Sequence, residues 1–442
     1  MLLFSTQFSN LKNYFSFLLA LMPVSYIAGN LVINFNLLLI IISGILIFKK
    51  DIFRLKLYML DKSLISFFIL IIITGVYNDF ILYNFYNDYS VFRGIYGTTI
   101  KSILFLKYLL FYQVLRFLIE KKIIDLKLFY IFSSFASIFV CFDIFFQFKF
   151  GVDIFGFERI SSNRLGGPFG DELIAGGYIQ RFAIFTFFLL PLFFSKKSNQ
   201  ISKFLIPILF LIFILGIILS GNRMPLILFI FLITLISIFH KQIRKFFISF
   251  IIIFSIIFTI ALRTNDEIKY TFISFYNQIS NLAVAVLEKD FNNDNNPQYL
   301  KEFVTFYDTW LMSKYIGGGI KNFRYYCHVR PNINKNSKFI CNMHPHNYYL
   351  EILTETGLAG LFNVLLIFIL LLHATLYKKY FTNSSLSQNK IIIPFIFLFI
   401  VEIFPIKSTG SFFTTGSATY LFLIIAVLVG LTRQHNLIEN KN

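Results

Sequence analysis

One short run of polar side chains stands where the chain enters an apolar stretch near residue 350. It reads His344-Pro345-His346-Asn347-Tyr348-Tyr349-Leu350-Glu351 and continues through Glu355, Gly357 and Gly360 into an apolar helix. Imidazole is the side chain whose unperturbed pKa lies close to neutral pH, which suits it to proton transfer. Polar groups beside a bilayer are costly to keep there, which favours a functional role. We therefore expect the chemistry of this protein at this run.

The composition indicates a protein embedded in a membrane. Of the 442 residues, 57% are hydrophobic and 14% charged, and the mean hydropathy is +0.72. Soluble globular chains carry roughly 25% charged residues. The formal net charge of +18 comes from short basic clusters between apolar runs, a pattern typical of membrane topology. We therefore exclude nucleic acid as a partner and expect membrane lipids around the chain.

Apolar runs of spanning length predict an all-α polytopic helix bundle with about twelve transmembrane helices. The predicted spans are 11–29, 31–48, 63–78, 102–119, 127–147, 179–195, 203–220, 224–240, 246–262, 348–377, 391–405 and 416–432. The first has no convincing cleavage site and is interpreted as a retained helix. Alternate short loops are basic, as at 49–56 and 121–127, which places these loops and both termini in the cytoplasm.

This pattern divides the chain into spans one to nine over 1–262, a large outward loop over 263–347, and spans ten to twelve with a tail over 348–442. Within the loop, Asn296-Pro297 precedes a predicted helix over 300–314, and Gly317-Gly318-Gly319 ends it. Leu300, Phe303, Tyr307, Trp310 and Leu311 share one face of that helix. We expect it to lie in the membrane interface or on the ends of the spans.

Two of the three cysteines, Cys327 and Cys341, lie close together in the outward loop. In an oxidising compartment such a pair favours a disulfide, which would brace the segment before His344. A zinc site that adds His328 and His344 is the alternative, but it lacks paired short spacing such as CxxC. The third, Cys141, is expected to be a buried, inert thiol in a span.

His346-Asn347 is followed by nine residues and then by Gly357-x-x-Gly360. This pattern resembles the signature of the O-antigen ligase and O-antigen polymerase superfamily of polytopic membrane glycosyltransferases. Three further pieces fit in the same order. They are Arg164-Leu165-Gly166-Gly167-Pro168-Phe169, Ser220-Gly221-Asn222-Arg223, and Trp310 followed by Ile316-Gly317-Gly318-Gly319-Ile320-Lys321-Asn322-Phe323. The twelve-span layout and the long loop before His346 resemble the ligase more than the polymerase.

The resemblance implies transfer of a glycan from a polyprenyl diphosphate to a sugar hydroxyl, at the periplasmic face of the bacterial inner membrane. The acceptor is lipid A–core for a ligase and another carrier-linked glycan for a polymerase. The family is described as metal-independent, so no cofactor is implied. Without a metal, arginine is suited to the leaving diphosphate, because guanidinium stays charged and binds phosphate oxygens in a bidentate fork.

On this resemblance His346 is the expected general base, or the group that orients the acceptor hydroxyl. Arg223, at the outer end of two spans, is the first choice for binding the diphosphate. Arg164 and Arg324, from loops that would close over the site, are the next candidates. Arg181 is instead interpreted as an interfacial anchor.

The other polar residues of the run are candidates for binding substrate. Asn347 is expected to fix the imidazole or to bind sugar, and His344 is a substrate-binding candidate whose simpler interpretation is a structural neighbour in the turn. Glu351 and Glu355 lie one helical turn apart, so either could orient His346 or bind sugar hydroxyls.

Some polar and small residues of the spans have other interpretations. Gly357 and Gly360 are expected to permit close helix packing. Glu402 and Asp143 are acids within spans, left outside the site because the sequence names no partner for them.

A transporter of lipid or polysaccharide is the alternative from another class. Acidic residues within spans and glycine-interrupted helices would be its marks. The spans, however, show no symmetric halves.

Overall fold

Helices formed by the apolar runs make up the described part of the molecule. The structure, a computed structural model, describes residues 2–82, 97–159, 164–193, 199–239, most of 252–264, 266–288, 297–329, 341, 346–376, 391–408 and 410–439. No strand occurs in these ranges, and one isolated bridge joins Val152 and Glu158. The expected all-α class is confirmed.

The first ten helices lie before residue 194. They are α1 Leu2–Ala20, α2 Met22–Ala28, α3 Asn30–Phe48, α4 Lys50–Phe53, α5 Met59–Tyr77, α6 Gly97–Phe105, α7 Lys107–Glu120, α8 Leu126–Phe150, α9 Ala175–Phe182 and α10 Ile184–Phe193. The later ones are α11 Asn199–Leu219, α12 Arg223–Phe239, α13 Asp266–Glu288, α14 Gln298–Leu311, α15 Phe323–Tyr326, α16 Tyr348–Leu372, α17 Ile393–Glu402 and α18 Thr415–Glu439.

Seven helical segments of the described chain are long and apolar enough to cross a membrane. They are Ser9–Ala28, Asn30–Phe48, Met59–Phe80, Gly97–Glu120, Leu126–Phe150, Tyr348–Leu376 and Thr415–Gln434. The predicted spans at 203–220, 224–240 and 391–405 correspond to the shorter helices α11, α12 and α17. The predicted span 179–195 is divided between α9 and α10, and much of 246–262 lies outside the described residues. The bundle is a polytopic helical membrane protein, and the number twelve stays a prediction.

Helix α18 lies at the centre of the bundle, and 89% of its most apolar stretch is buried. It packs against α7, and the Phe422 ring contacts Phe68 on α5 and Tyr108 on α7. A helix that is apolar on all sides is stable only where other helices cover it. The outward-facing apolar side chains of α3 and α16 are exposed, such as Leu31 and Phe362, as expected for surfaces that meet lipid.

A buried ionic network joins α5, α7 and α18 at the end of the bundle away from the residue-350 run. Arg116 Nη1 is 2.7 Å from Asp61 Oδ1, and Arg433 Nη2 is 2.8 Å from Asp61 Oδ2. Arg116 Nε also donates to Glu120 at 2.6 Å. Buried charges are tolerated when they are paired in this way.

Helices α13, α14 and α15 belong to the predicted outward loop. The predicted helix over 300–314 is present as α14, Gln298–Leu311. Its buried face differs from the predicted one, because Leu300 and Phe306 are buried while Phe303 and Tyr307 are 49% and 46% exposed. Phe306 stacks on Phe323 of α15, and α14 packs against α16. The segment 297–329 is called the cap below.

Candidate functional site

The polar run leads into α16, and Asn347 is the N-terminal capping residue of that helix. Asn347 Oδ1 accepts hydrogen bonds from the backbone N–H groups of Tyr349 and Leu350, at 3.0 and 3.2 Å. Its Nδ2 donates to the carbonyl oxygens of Pro405 and Lys407, at 2.7 and 3.2 Å. These contacts occupy the amide on both sides. Asn347 therefore fixes the backbone next to His346, and its predicted role in fixing the imidazole or binding sugar stays a prediction.

The next residues of the run hold the loop between α17 and α18. Tyr349 Oη donates to the Ile403 carbonyl. The Glu351 carboxylate is buried and accepts hydrogen bonds from Ser411 Oγ and the Phe412 N–H. Glu351 therefore positions this loop, and its predicted role in orienting His346 or binding sugar hydroxyls stays a prediction.

The strongest concentration of charge beside the run is a group that we call the Glu402 cluster: Arg181, Tyr348, Glu402 and Lys407. Glu402 Oε1 is 2.8 Å from Arg181 Nη2 and 2.7 Å from Lys407 Nζ, and it also accepts a hydrogen bond from Tyr348 Oη. The carboxylate is 1% exposed, while the lysine and arginine side chains are 6% and 17% exposed. Two cations share one carboxylate, so the cluster carries a surplus positive charge.

Arg181 keeps capacity for a further anion. Its Nε and Nη2 donate to Glu402, with a longer contact from Nη2 to Ser417. Its Nη1 donates to no residue in the part of the chain that the structure describes. The predicted role of Arg181 as an interfacial anchor is wrong, because its guanidinium lies within the bundle, over the Tyr420 ring.

Lys407 lies in the loop between α17 and α18, outside the spans. Burial lowers the pKa of Lys407 to about 8, and the attraction of Glu402 offsets this effect only in part. Its ammonium is therefore charged at neutral pH and loses its proton in mildly alkaline solution.

Helix α16 is interrupted at Gly357, and the cap inserts its backbone into the break. Gly357 has φ +68° and ψ −169°. The N–H groups of Gly318 and Gly319 donate to the carbonyls of Thr354 and Glu355, both at 2.9 Å. On the other side of the break, the N–H groups of Leu358 and Ala359 donate to the carbonyls of Lys314 and Tyr315. The segment 314–319 thus satisfies the backbone groups that the break exposes.

The glycines are required by this crossing. A Cβ at Gly317 would lie 2.4 Å from the Thr356 nitrogen, and one at Gly357 would lie 2.3 Å from the Tyr315 carbonyl. Gly360 has the Thr356 side chain of its own helix against it. The prediction that Gly357 and Gly360 permit close packing of helices is therefore wrong in its detail: Gly357 permits a backbone crossing.

Glu355 connects α16 to the cap through its side chain. Its Oε2 accepts a hydrogen bond from the Lys321 N–H at 2.8 Å, and the residue is 1% exposed. Lys321 has φ +54°. Burial lowers the pKa of Lys321, and the charge of Arg324 lowers it further against the opposing effect of Glu355. Arg324 thus lies close enough to Lys321 for their charges to interact.

The other predicted arginines lie on different elements. Arg223 begins α12, where its Nη1 donates to Gln278 Oε1 at 3.4 Å and its guanidinium lies 5.6 Å from the Phe275 ring centre. Arg164 is exposed in the segment before α9. Arg223 and Arg164 lie on elements other than the start of α16, and their part in one site with His346 stays a prediction. His344 lies outside the described residues.

Cys327 and Cys341 are joined by a disulfide, with their Cα atoms 5.8 Å apart. The bond consumes both thiols of the alternative zinc site. No group of three metal-ligating side chains occurs among the described residues. Cys141 is buried and unpaired, as expected.

Sequence reasoning missed Arg181 and Lys407 and left Glu402 without partners. One signal was present: an acid inside an apolar helix requires a cation at the same depth. Arg181 and Lys407 both lie near outer ends of predicted spans, but Arg181 is 221 residues from Glu402 in sequence. The pairing is therefore visible only in three dimensions.

Comparison with known families supports the resemblance seen in the sequence. Residues 208–365 match the family model described as O-antigen ligase. The match includes His346, Arg223 and the cap, whereas Arg181, Glu402 and Lys407 lie outside it. A search of curated proteins found no match to this chain.

Proposed function

We propose that this chain transfers a glycan from a polyprenyl diphosphate to a sugar hydroxyl of lipid A–core. The match of residues 208–365 to the O-antigen ligase family model supports this proposal. The reaction would occur at the periplasmic face of the bacterial inner membrane. The observation that carries the proposal is the position of His346. It lies next to Asn347, which is hydrogen-bonded to the loop of Lys407, and Lys407 belongs to a cluster with a surplus positive charge.

In the proposed reaction the bond between the sugar anomeric carbon and the diphosphate oxygen breaks, and a bond to the acceptor oxygen forms. His346 takes the proton of the acceptor hydroxyl as general base. The electron pair of the broken bond leaves with the diphosphate, where negative charge develops. Preorganised positive groups lower the barrier to such a step.

Arg181 and Lys407 are the groups that we assign to the developing negative charge. Glu402 holds both cations in place, and Tyr348 holds Glu402, so little reorganisation is needed when the diphosphate arrives. Arg223, Arg164 and Arg324 remain candidates for further contacts to the donor or the acceptor. We propose that the reaction needs no metal ion, since fixed cations supply the charge.

The closest variant of this function is an O-antigen polymerase, in which the acceptor is a second carrier-linked glycan. Both reactions use the same bond changes, so the residues do not separate them. We favour the ligase on the predicted span layout and the long loop before His346.

A transporter is the second candidate, because α16 is a broken helix and such helices line transport sites. In this protein, however, the cap segment 314–319 fills the break and satisfies its backbone groups. A break that the protein itself occupies does not favour passage of a substrate through it.

The test is a glycolipid gel of a strain whose only copy carries His346→Ala, beside a deletion strain and a His373→Ala control. His373 is an exposed histidine at the other end of α16. We expect bare lipid A–core, with long glycan accumulating on the polyprenyl carrier. A core with a single repeat and no ladder would indicate the polymerase. A normal ladder in His346→Ala beside a defective deletion would refute the role of His346.

A further inference from the structure

A second group of charged side chains lies where the cap meets the outer end of α6. We call it the Lys321 cluster: Lys101, Lys321, Arg324 and Glu355. Lys101 Nζ donates to the Lys321 carbonyl at 3.4 Å. Lys101 Nζ and the Arg324 guanidinium each lie 5.5 Å from the centre of the Tyr325 ring. Two cations therefore share one aromatic ring, and a third lies next to them on the chain.

The cluster brings together positive charges with little compensation inside it. Among the described residues, no carboxylate lies within ion-pair distance of Lys321 or Arg324. Glu355 and Glu351 both act on the charge of Lys321, and one oxygen of Glu355 is engaged by the Lys321 N–H. Like charges held at short range in a partly buried position are unfavourable unless an anion joins them.

Two polar atoms in the cluster are buried without partners among the described residues. One is a donor, Arg324 Nε, and the other is an acceptor, Glu355 Oε1. Buried polar groups are satisfied in nearly all native structures, so these two atoms offer one donor and one acceptor to a bound molecule. A ligand that satisfies both atoms must accept a hydrogen bond from Arg324 and donate one to Glu355. A sugar that carries a phosphoryl group has both capacities.

The backbone at Lys321 supports a binding role. Its φ of +54° lies in the left-handed region, which is unfavourable for a residue with a Cβ. Strained backbone of this kind persists where the surrounding structure imposes it, and it is concentrated at functional sites. Here the strain places the Lys321 N–H against Glu355 and its carbonyl against Lys101.

We propose that the Lys321 cluster binds a phosphorylated sugar of the acceptor glycolipid. The phosphoryl oxygens contact Lys101, Lys321 and Arg324, and a sugar hydroxyl donates to Glu355 Oε1. That this ligand is the acceptor rests on the proposed function, in which the Glu402 cluster takes the donor. The two clusters are attached to one half helix, through Tyr348 and Glu355. Seven residues separate these attachments, or about 10 Å along the axis, enough room for a sugar between donor and acceptor phosphates.

The experiment is equilibrium binding to the purified full-length protein in nanodiscs. The probes are lipid A with its phosphates and the same lipid A after dephosphorylation. We expect wild-type protein to bind the phosphorylated lipid at least tenfold more tightly, and Lys321→Gln and Arg324→Gln to lose that preference. Lys314→Gln is the matched control, since Lys314 is an exposed lysine of the same cap. Equal affinity for both lipids in wild type, or a preference that persists in Arg324→Gln, would exclude lipid A as the ligand of this cluster. If Arg324→Gln also leaves binding of a prenyl diphosphate-linked sugar unchanged, the proposal is overturned.

A third probe, a prenyl diphosphate-linked sugar, separates the two sources of the phosphoryl group. If Arg324→Gln weakens binding of this probe and leaves lipid A binding as in wild type, the acceptor is a second carrier-linked glycan. If it weakens lipid A binding alone, the acceptor is the lipid A–core. Binding can be measured without turnover. If the protein prefers the phosphorylated lipid but shows no transferase activity, the proposed function is refuted, whereas the proposed binding site is not.

When transfer is observed, kinetics give an independent readout. Arg324→Gln should raise KM for the acceptor about tenfold at saturating donor, and leave KM for the donor unchanged. The opposite split, with only KM for the donor raised, would assign the cluster to the donor and overturn its assignment to the acceptor.

Discussion

Lys407 should give the activity an alkaline limit. Burial lowers the pKa of Lys407 to about 8, so its charge is present below that pH and is lost as the pH rises through it. If this charge stabilises the leaving diphosphate, kcat/KM falls above about pH 8 and approaches tenfold per pH unit. Lys407→Arg keeps a charge at all accessible pH values and should remove the limit. Lys407→Gln should be slow at every pH.

Titration of Lys407 should raise the stability of the protein over the pH range in which it lowers the activity. An unfolded lysine has a pKa of 10.5, so between pH 8 and 10.5 the folded protein binds fewer protons than the unfolded chain. The free energy of unfolding therefore rises with pH in this window. At about 1.36 kcal/mol per pH unit the full gain is roughly 3 kcal/mol. Roughly 2 kcal/mol of this is reached by about pH 9.5, before ordinary tyrosines titrate near 10.

The two trends make the assay decisive. Transfer rates and thermal unfolding are measured from pH 6 to 9.5 on wild type, Lys407→Arg and the control Lys314→Gln. The expected result is activity that falls above pH 8 while the wild-type unfolding temperature rises. Activity and unfolding temperature that fall together would show alkaline unfolding instead. If Lys407→Arg shows the same fall in activity above pH 8 as wild type, Lys407 does not act in the site.

Three further outcomes are expected. Arg223→Lys keeps the charge but loses the bidentate fork, so transfer should fall at least tenfold with normal expression; unchanged transfer would exclude Arg223 as a diphosphate ligand. Gly357→Ala places a Cβ 2.3 Å from the Tyr315 carbonyl at a φ of +68° and should cost roughly 2–4 kcal/mol of stability, measured by thermal unfolding. Gly177→Ala, with its nearest atom at 4.0 Å, is the control, and an equal effect in both would refute the crossing argument. Added chelator should leave transfer intact, whereas a loss that a divalent ion restores would refute the metal-free reaction.

The helices of the bundle were predictable because a span is a local property. About twenty apolar residues in a row specify a transmembrane helix whatever surrounds them. The start of α16 was equally local, since Asn347 caps the helix that directly follows it. Some described helices accordingly match the predicted spans closely, as with 31–48 and Asn30–Phe48, whereas the predicted span 179–195 is divided between α9 and α10.

Tertiary pairings were not predictable, and they determine most of the candidate site. Gly357 fits either close packing of helices or a break, and the partner that decides between them is the segment 314–319, about forty residues earlier. Glu402 required a cation, but several basic residues near the outer ends of spans could have supplied it. The folded chain brings Arg181 of α9 to Glu402 at the end of α17, and this proximity cannot be read from the sequence.

Each of three polar side chains in the first half of α16 holds a different neighbouring segment, and this limits which groups can act as the base. Tyr348 holds Glu402, Glu351 holds the loop that carries Lys407, and Glu355 holds the cap at Lys321. The carboxylates of Glu351 and Glu355 each hydrogen-bond a neighbouring segment, so neither is well suited to act as the base. The proposed reaction therefore assigns proton transfer to His346, two residues before α16 begins, and charge stabilisation to cations supplied by other elements. The side chains of the run therefore hold the surrounding segments in place. Arg181, Glu402 and Lys407 lie on those segments, which is why the His346-Asn347 motif contains none of them.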